Sequence, residues 1–378
     1  MRLKPDCRHY LGWRPCAPAK QSGARCQDCA SYERRGKSIL IIKLGAAGDV
    51  LRTTFLLPAL SRKAGRGANI TWLAAKASLP VLQNPFISCK LDADSPASAA
   101  VLLARTWDEV YCLENSSEAA AFCAAAKARK KYGFTLSSGG AITPLGSAAA
   151  LWLELACDDT LKKNNSLSYQ EIMLKICGLG GKITPPLFTP LAPALGRARA
   201  ILGRKPGQTL VGLNTGAGSR WPKKMLSARD SADLCRRILA SDKKISIILL
   251  GGPEQAQPHA LIKSLVKNKR LISAGTDNSF DVFAALISLC DTVICGDTLA
   301  LHSAAAAGTP CVALFGPTSK NEIYDYDGMV EKLDAGLDCL CCYGDCGKTR
   351  HCMNALRGEE ILTALKKQLA FKNKGRGK

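Results

Sequence analysis

The stretch SILIIKLGAAGDVLRTTFLLPALSRK, residues 38–63, decides the fold. It opens on a continuous β-branched run, Ser38 to Gly45, of the kind found in a strand covered on both faces. A glycine-bearing loop, GAAGD, follows, and LRTTFLLPALSRK after it has helical character. Strand, glycine turn, helix is the unit of a parallel α/β sheet. Working outward, ITWLAA (70–75), EVYCLE (109–114) and KYGFTL (131–136) read as further strands. Helical stretches alternate with them, notably the alanine-rich SEAAAFCAAAKARKK (117–131). The proline-rich ITPPLFTPLAP (183–193) then breaks the pattern. A second alternating series follows: TLVGLNTG (209–216), ISIILLGG (245–252), RLISAG (270–275), TVICGD (292–297) and PCVALFG (310–316).

The expected architecture is therefore α/β: two Rossmann-like, doubly wound domains, residues 37–195 and 206–336, with a cleft between them. A Cys-rich appendage, residues 1–36, precedes them. Residues 337–378 supply a second Cys-rich loop, a helix and a basic tail, AFKNKGRGK, that reads as disordered. Ligands of such folds bind beyond the carboxyl ends of the strands, here in the cleft.

Composition narrows the class. With 47% hydrophobic and 22% charged residues in 378, the chain is neither collagen-like nor wholly disordered. No apolar run approaches the ~20 residues that span a bilayer. The basic N-terminus lacks the apolar stretch of a secretory signal, so a cytoplasmic protein is expected. Lys and Arg total 52 against 31 Asp and Glu, and the resulting +21 favours polyanionic partners.

Eighteen cysteines are unevenly spread. Cys7, Cys16, Cys26 and Cys29 form one group, ending in a C-x2-C knuckle, and Cys339, Cys341, Cys342, Cys346 and Cys352 form another. Those between read as small core residues. In a reducing compartment such groups read as metal sites rather than disulfides. The first group suffices for a tetrahedral four-thiolate site, structural zinc or an iron–sulfur cluster. The second offers Cys339, Cys341, Cys346 and Cys352, although adjacent Cys341 and Cys342 cannot easily ligate together.

Three stretches carry candidate chemistry. In KLGAAGDVLRTT, Gly45 and Gly48 permit a tight turn whose following helix N-terminus is an anion site. Asp49 there reads either as a helix cap or as a general base. In NTGAGSRWPKK (214–224), small residues leave room for a phosphate beside Arg220, Lys223 and Lys224. In ICGDTLALHSAAAAGTPCVALFGPTS (294–319), Asp297 and Thr298 start a helix with His302 one turn on.

Taken in order, these stretches resemble glycosyltransferase family 9, the ADP-heptose:lipopolysaccharide heptosyltransferase family. The GD-x-x-x-x-T signature, the G-x-x-x-x-W segment, GGPE and the D-T-x-x-x-H…LFGPT run carry the likeness over about residues 39–365. The resemblance implies the two-domain GT-B fold and inverting, metal-independent transfer of a sugar, heptose by default. The donor would be a nucleotide-sugar such as an ADP-sugar, and the acceptor a lipid-anchored glycan of the lipopolysaccharide core or a related cell envelope. It makes Asp49 the catalytic base, with Gly48 and Thr53 on the acceptor side. It puts Thr215, Arg220, Lys224, Glu254, Asp297, Thr298, Leu301 and His302 around the donor. Two departures bear on the sugar: Leu299 and Ala300 stand where the family has Gly after the Asp-Thr pair, and Phe55 stands where it tends to have Pro. The charge would then hold the enzyme peripherally on the anionic inner face of the plasma membrane. No specific nucleic acid is expected, although a nucleic-acid-binding metalloprotein and a GT-B nucleotide-sugar epimerase are the other readings.

Overall fold

A computed structural model describes residues 2–218, 224–344, 346–348 and 351–376, with side chains described as far as residue 372. Strand β1 (Ser38–Ile42) has its last four residues buried, as expected where helices cover both sheet faces. It pairs in parallel with β2 (Asn69–Ala74) and β4 (Thr106–Cys112). With β3 (Ile87–Asp92), β5 (Lys127–Leu136) and β6 (Ile142–Leu145) it makes a sheet of order β3-β2-β1-β4-β5-β6, in which β6 runs antiparallel.

The second sheet holds β7 (Thr209–Asn214), β8 (Ile245–Leu250), β9 (Leu271–Ser273), β10 (Thr292–Gly296), β11 (Cys311–Leu314) and β12 (Val330–Leu333). Its order is β12-β11-β10-β7-β8-β9, with every pair parallel. Strand order reverses at β1/β4 in one sheet and at β7/β10 in the other. Loops leaving those strands diverge to opposite sheet faces and open a crevice.

Three helices matter for the site: α1 (Ala47–Thr53), α2 (Tyr169–Ile176) and α3 (Leu299–Ala306). α2 begins in a capping box, with Ser168 and Glu171 satisfying each other's backbone amides. The two halves meet where α1 packs on α3. They are also joined by Gln170, whose Nε2 donates to the Tyr326 hydroxyl at 2.8 Å, and by Asn321, whose Nδ2 donates to the Asn165 carbonyl at 3.0 Å.

The structure departs from the sequence reading in several places. The alanine-rich helix stops at Ala125, and Lys127–Lys131 belong to β5, where pairing with β4 outweighs their helical preference. β3, β6 and β12 carry no strong run of their own and form against neighbours already in place. The helix after Asp49 breaks at a 3-10 turn, Thr54–Leu56, before Pro58 starts a second helix, Leu57–Ala64. The C-terminal helix, Gly358–Arg376, continues through most of the basic tail and covers β10 and β11. Among the described residues no helix is long and apolar enough to cross a membrane.

Candidate functional site

The glycine loop after β1 is a trap for a carboxylate of the same chain. Glu114 accepts the amides of Leu44 at 2.8 Å and Gly45 at 2.6 Å, and Lys43 lies 3.6 Å from the same oxygen. A β-carbon on Gly45 would come within 3.1 Å of that carboxylate. The anion expected at these glycine amides is therefore internal, and the loop is pinned rather than open to ligand.

Asp49 lies in the first turn of α1, but Ala46 occupies the cap position and no side chain caps the helix. The carboxylate instead pairs with Arg52 one turn on, at 2.8 Å, and stays partly exposed. Burial pushes this carboxyl up, but Arg52, then Lys43, His302 and Lys224, outweigh it and hold the group at about 2. Arg52 in turn lies 3.8 Å over the ring of Tyr169 from α2. The Tyr169 hydroxyl hydrogen-bonds Thr53 at 2.6 Å, and the Thr53 hydroxyl lies 2.6 Å from the Asp49 carbonyl. Thr53, an acceptor-side candidate, is thus fully buried and braces the helix from within.

Across the domain contact, β10 ends at Gly296 and delivers Asp297 and Thr298 to the start of α3. Gly296 has no room for a side chain, since a β-carbon would lie 2.6 Å from the Lys224 carbonyl. Lys224 reaches Asp297 Oδ2 at 3.0 Å. Burial raises the Asp297 carboxyl, but Lys224, His302 and Arg52 bring it below its ordinary value. Thr298 makes no cap to its own helix, and its hydroxyl accepts from Asn214 Nδ2 at 3.4 Å. The amides at the start of α3 therefore lack a side-chain cap.

His302 is buried against Gly48, where a β-carbon would meet its Cδ2 at 3.2 Å. Burial, with Arg52 adding to it, holds the imidazole down at about 4 against the pull of Asp297 and Asp49. Asp49, Asp297, Lys224 and His302, expected from the two halves, thus gather in one polar cluster, with Arg52 added to them by the fold.

Other candidates are placed differently. Leu301 is buried in the core and offers a ligand no side-chain surface. The Thr215 hydroxyl is engaged by Gln255 Oε1 at 2.9 Å and His259 Nε2 at 2.8 Å. Glu254 is exposed on the turn after β8, and its Oε1 would lie 3.6 Å from a β-carbon on Gly216. Beside it opens a cavity of about 300 Å3 lined by Thr215, Met225, Leu226, Gln255, Pro258 and Ile262. Arg220 and Lys223, with the intervening Trp221, lie outside the described residues.

Sequence reasoning missed Arg52, Tyr169, Glu114 and Glu322. For Arg52 a signal existed, its i+3 spacing from Asp49. The others come from distant segments and are brought in by the fold. Glu322, raised by burial, accepts from the Tyr343 hydroxyl at 2.6 Å. Tyr343 belongs to the C-terminal Cys-rich loop, which lies on the Gly316-Pro317 turn through backbone bonds from Cys341 and Tyr343. Cys352 in that region packs on Gly316, where a β-carbon would meet its Sγ.

Among the described residues no three His, Cys, Asp or Glu side chains converge closely enough to hold one metal ion between them. That holds for Cys339, Cys341, Cys346 and Cys352 as well as for Cys7, Cys16, Cys26 and Cys29. Cys352 spends its sulfur on the core instead.

The family model for glycosyltransferase family 9 (heptosyltransferase) matches residues 99–345, well over half the chain. The chain belongs to glycosyltransferase family 9. Solved structures agree on the GT-B-like fold. A family 9 glycosyltransferase from Veillonella parvula DSM 2008 superposes with a TM-score of 0.72 at 18% identity, covering 89% of this chain and 98% of that one. The E. coli ADP-heptose lps heptosyltransferase II gives 0.67 at 16% identity, covering 89% and 99%. E. coli heptosyltransferase WaaC with ADP gives 0.59 at 16%, covering 88% and 99%. No curated protein sequence matches. For a family 9 enzyme, a charged cluster at the meeting of two doubly wound halves is where sugar transfer would be sought.

Proposed function

We propose that this family 9 glycosyltransferase moves a sugar, heptose by default, from an ADP-linked donor to a hydroxyl of a lipid-anchored cell-envelope glycan, with inversion. The observation that carries the reading is the placement of Asp49, an ionised and partly exposed carboxylate, opposite the uncapped start of α3 with Asp297 and Thr298. The acceptor hydroxyl gives its proton to an Asp49 oxygen as its oxygen bonds to the anomeric carbon. The bond from that carbon to the diphosphate oxygen breaks on the opposite face, and the nucleoside diphosphate leaves with the electron pair. One base on one face suffices for a single displacement, and no metal is needed to hold it.

The leaving diphosphate meets the start of α3 and the Lys224 ammonium. The cavity beside Glu254 suits the nucleoside: Met225, Leu226, Pro258 and Ile262 offer apolar faces for the base, and Glu254 a carboxylate for the ribose hydroxyls. The ligands of a similar protein, E. coli heptosyltransferase WaaC with ADP and with ADP-2-deoxy-2-fluoro heptose, support the adenine assignment. A carboxyl held at about 2 is a weak base, so its strength depends on Arg52. An acceptor hydroxyl that displaces the guanidinium strengthens the base where it is used. The net +21 supports work at an anionic membrane surface, where lipid-anchored acceptors lie. The family match favours neither the epimerase nor the nucleic-acid reading.

The test is a panel of ADP-, UDP-, GDP- and CMP-sugars against the wild type and Asp49→Asn. Stabilisation by one ADP-sugar in both proteins, with transfer to a core-glycan acceptor in the wild type alone, is the expected result. Donor turnover without acceptor in both proteins would overturn it.

A further inference from the structure

A second cavity lies far from this site in sequence, inside the N-terminal appendage. It measures about 370 Å3, and Cys7, Cys16, Cys26 and Cys29 all line it, together with His9 and Tyr10. None of the four cysteines is in a disulfide. They come from three separate turns. The carbonyls of Cys7, Cys16 and Cys29 accept from the amides of Tyr10, Lys20 and Tyr32, and Cys26 opens a 3-10 turn that closes the C-x2-C knuckle. Four thiols spaced irregularly along the chain are thus brought to the wall of one chamber.

This appendage has almost no core. Cys7 is its one buried hydrophobic residue among those described, and its helix, Ala17–Ser22, buries nothing. Trp13 is 75% exposed, and Leu3 and Leu11 are half exposed. A single isolated bridge, Cys7 to Arg34, and polar contacts such as the Arg8–Glu33 pair at 3.1 Å join its ends. Surface pairs of that sort contribute ~0–1 kcal/mol. Segments below ~40 residues that lack a hydrophobic core take their defined shape from disulfides, metals or a partner. Here the thiols are placed for the second.

The size of the chamber bears on whether one ion or several would fill it. A tetrahedral zinc site, with Zn–S near ~2.3 Å, draws its four sulfurs to about 3.8 Å from one another. No three of the thiols converge that way, yet all four face a chamber much larger than an ion. A polynuclear cluster holds its thiolates farther apart, because several irons and sulfides lie between them. Charge agrees: residues 1–36 carry eight Lys and Arg against three Asp and Glu, an excess that offsets an anionic four-thiolate cluster. Lys4 and Arg14 lie on the chamber wall itself.

We propose that Cys7, Cys16, Cys26 and Cys29 ligate a cubane iron–sulfur cluster that serves as the core of the N-terminal appendage. Each thiol gives up its proton and, as thiolate, replaces the ligand on one iron of a preassembled four-iron, four-sulfide cluster supplied by a donor; the displaced ligand leaves with that donor, and no oxidation state changes. The cluster is structural and independent of the sugar-transfer reading.

The full chain, purified anaerobically, is assayed for iron, acid-labile sulfide and zinc. About four irons and about four sulfides per chain are expected, with visible absorption that bleaches on reduction. Cys26→Ser/Cys29→Ser should retain less than a tenth of that iron, while Cys339→Ser/Cys341→Ser retains all of it. One zinc per chain without sulfide overturns the cluster, and so does iron lost from the C-terminal variant alone. Protein containing neither metal overturns the site. Should the N-terminal variant fail to fold, alkylation of the native wild type decides. Exposed Cys157 should react at once and the four thiols only after iron is stripped. Immediate reaction of all four overturns the proposal.

Discussion

The imidazole of His302 lies so close to Gly48 that a β-carbon there would stand 3.2 Å from its Cδ2. One residue belongs to α1 of the first half and the other to α3 of the second, so this contact sets the spacing of the two halves at the site. A glycine is required here by proximity rather than by backbone angle.

Gly48→Ala follows directly. The added methyl must push α1 and α3 apart by a few tenths of an ångström, since buried His302 has little room to yield. Better helix propensity returns up to ~1 kcal/mol, so the melting temperature should change little. Transfer should fall by about tenfold, because Asp49 shifts relative to the donor. Unchanged kcat would show that the halves adjust freely in turnover.

His302 should make stability pH-dependent. Its folded-state pKa, about 4, lies below the ordinary 6.5, so the unfolded chain takes up the proton first as pH falls. Stability contributed by the neutral imidazole is therefore whole above about pH 6.5, declines toward pH 4, and declines no further below that. The loss amounts to ~3 kcal/mol. Denaturant melts of wild type and His302→Gln between pH 4 and 8 should converge at the acid end. Parallel curves would contradict the assignment.

Arg52→Met should free Asp49. Without the guanidinium at 2.8 Å, the carboxyl rises from about 2 toward its ordinary range. The acid limb of the kcat/KM profile should move up by about one unit or more, since that profile reports the free enzyme's base. An acid limb left in place would assign the base elsewhere. Stability should fall as well, because the variant loses the stack on Tyr169.

Glu114→Ala tests the pinned loop. It strips two backbone amides and Lys43 of their shared partner, at a cost of about 1–3 kcal/mol for each group left unsatisfied. Glu114→Gln keeps an acceptor oxygen and should recover about half of the loss. Chemical denaturation measures both, and equal stability of the two variants would mean that charge alone matters.

Much of the fold was legible because its central strands, such as β1, β8 and β10, are covered on both faces and read as unbroken apolar runs. Edge strands such as β3 and β12 were not, because their burial is partial and their pairing supplies what their composition lacks. At the site, Asp49, Asp297 and His302 stood out through motif spacing. Tyr169 and Glu114 did not, lying 120 and 65 residues from Asp49 with no periodic relation to it.

By itself the sequence determined the alternation of strands and helices, the two halves, the glycine turns and the thiol groupings, because each is a matter of local composition and spacing. Tertiary structure alone decided that Asp49 pairs with Arg52 and caps nothing, and that Glu114 occupies the glycine-loop amides. It also decided that Gly48 must make room for His302, and that four scattered thiols share one chamber. The physical reason is common to all four. Electrostatic pairing, steric exclusion and cavity shape act through space at a few ångströms, and chain order carries no record of which distant segments the packing of two sheets will bring that close.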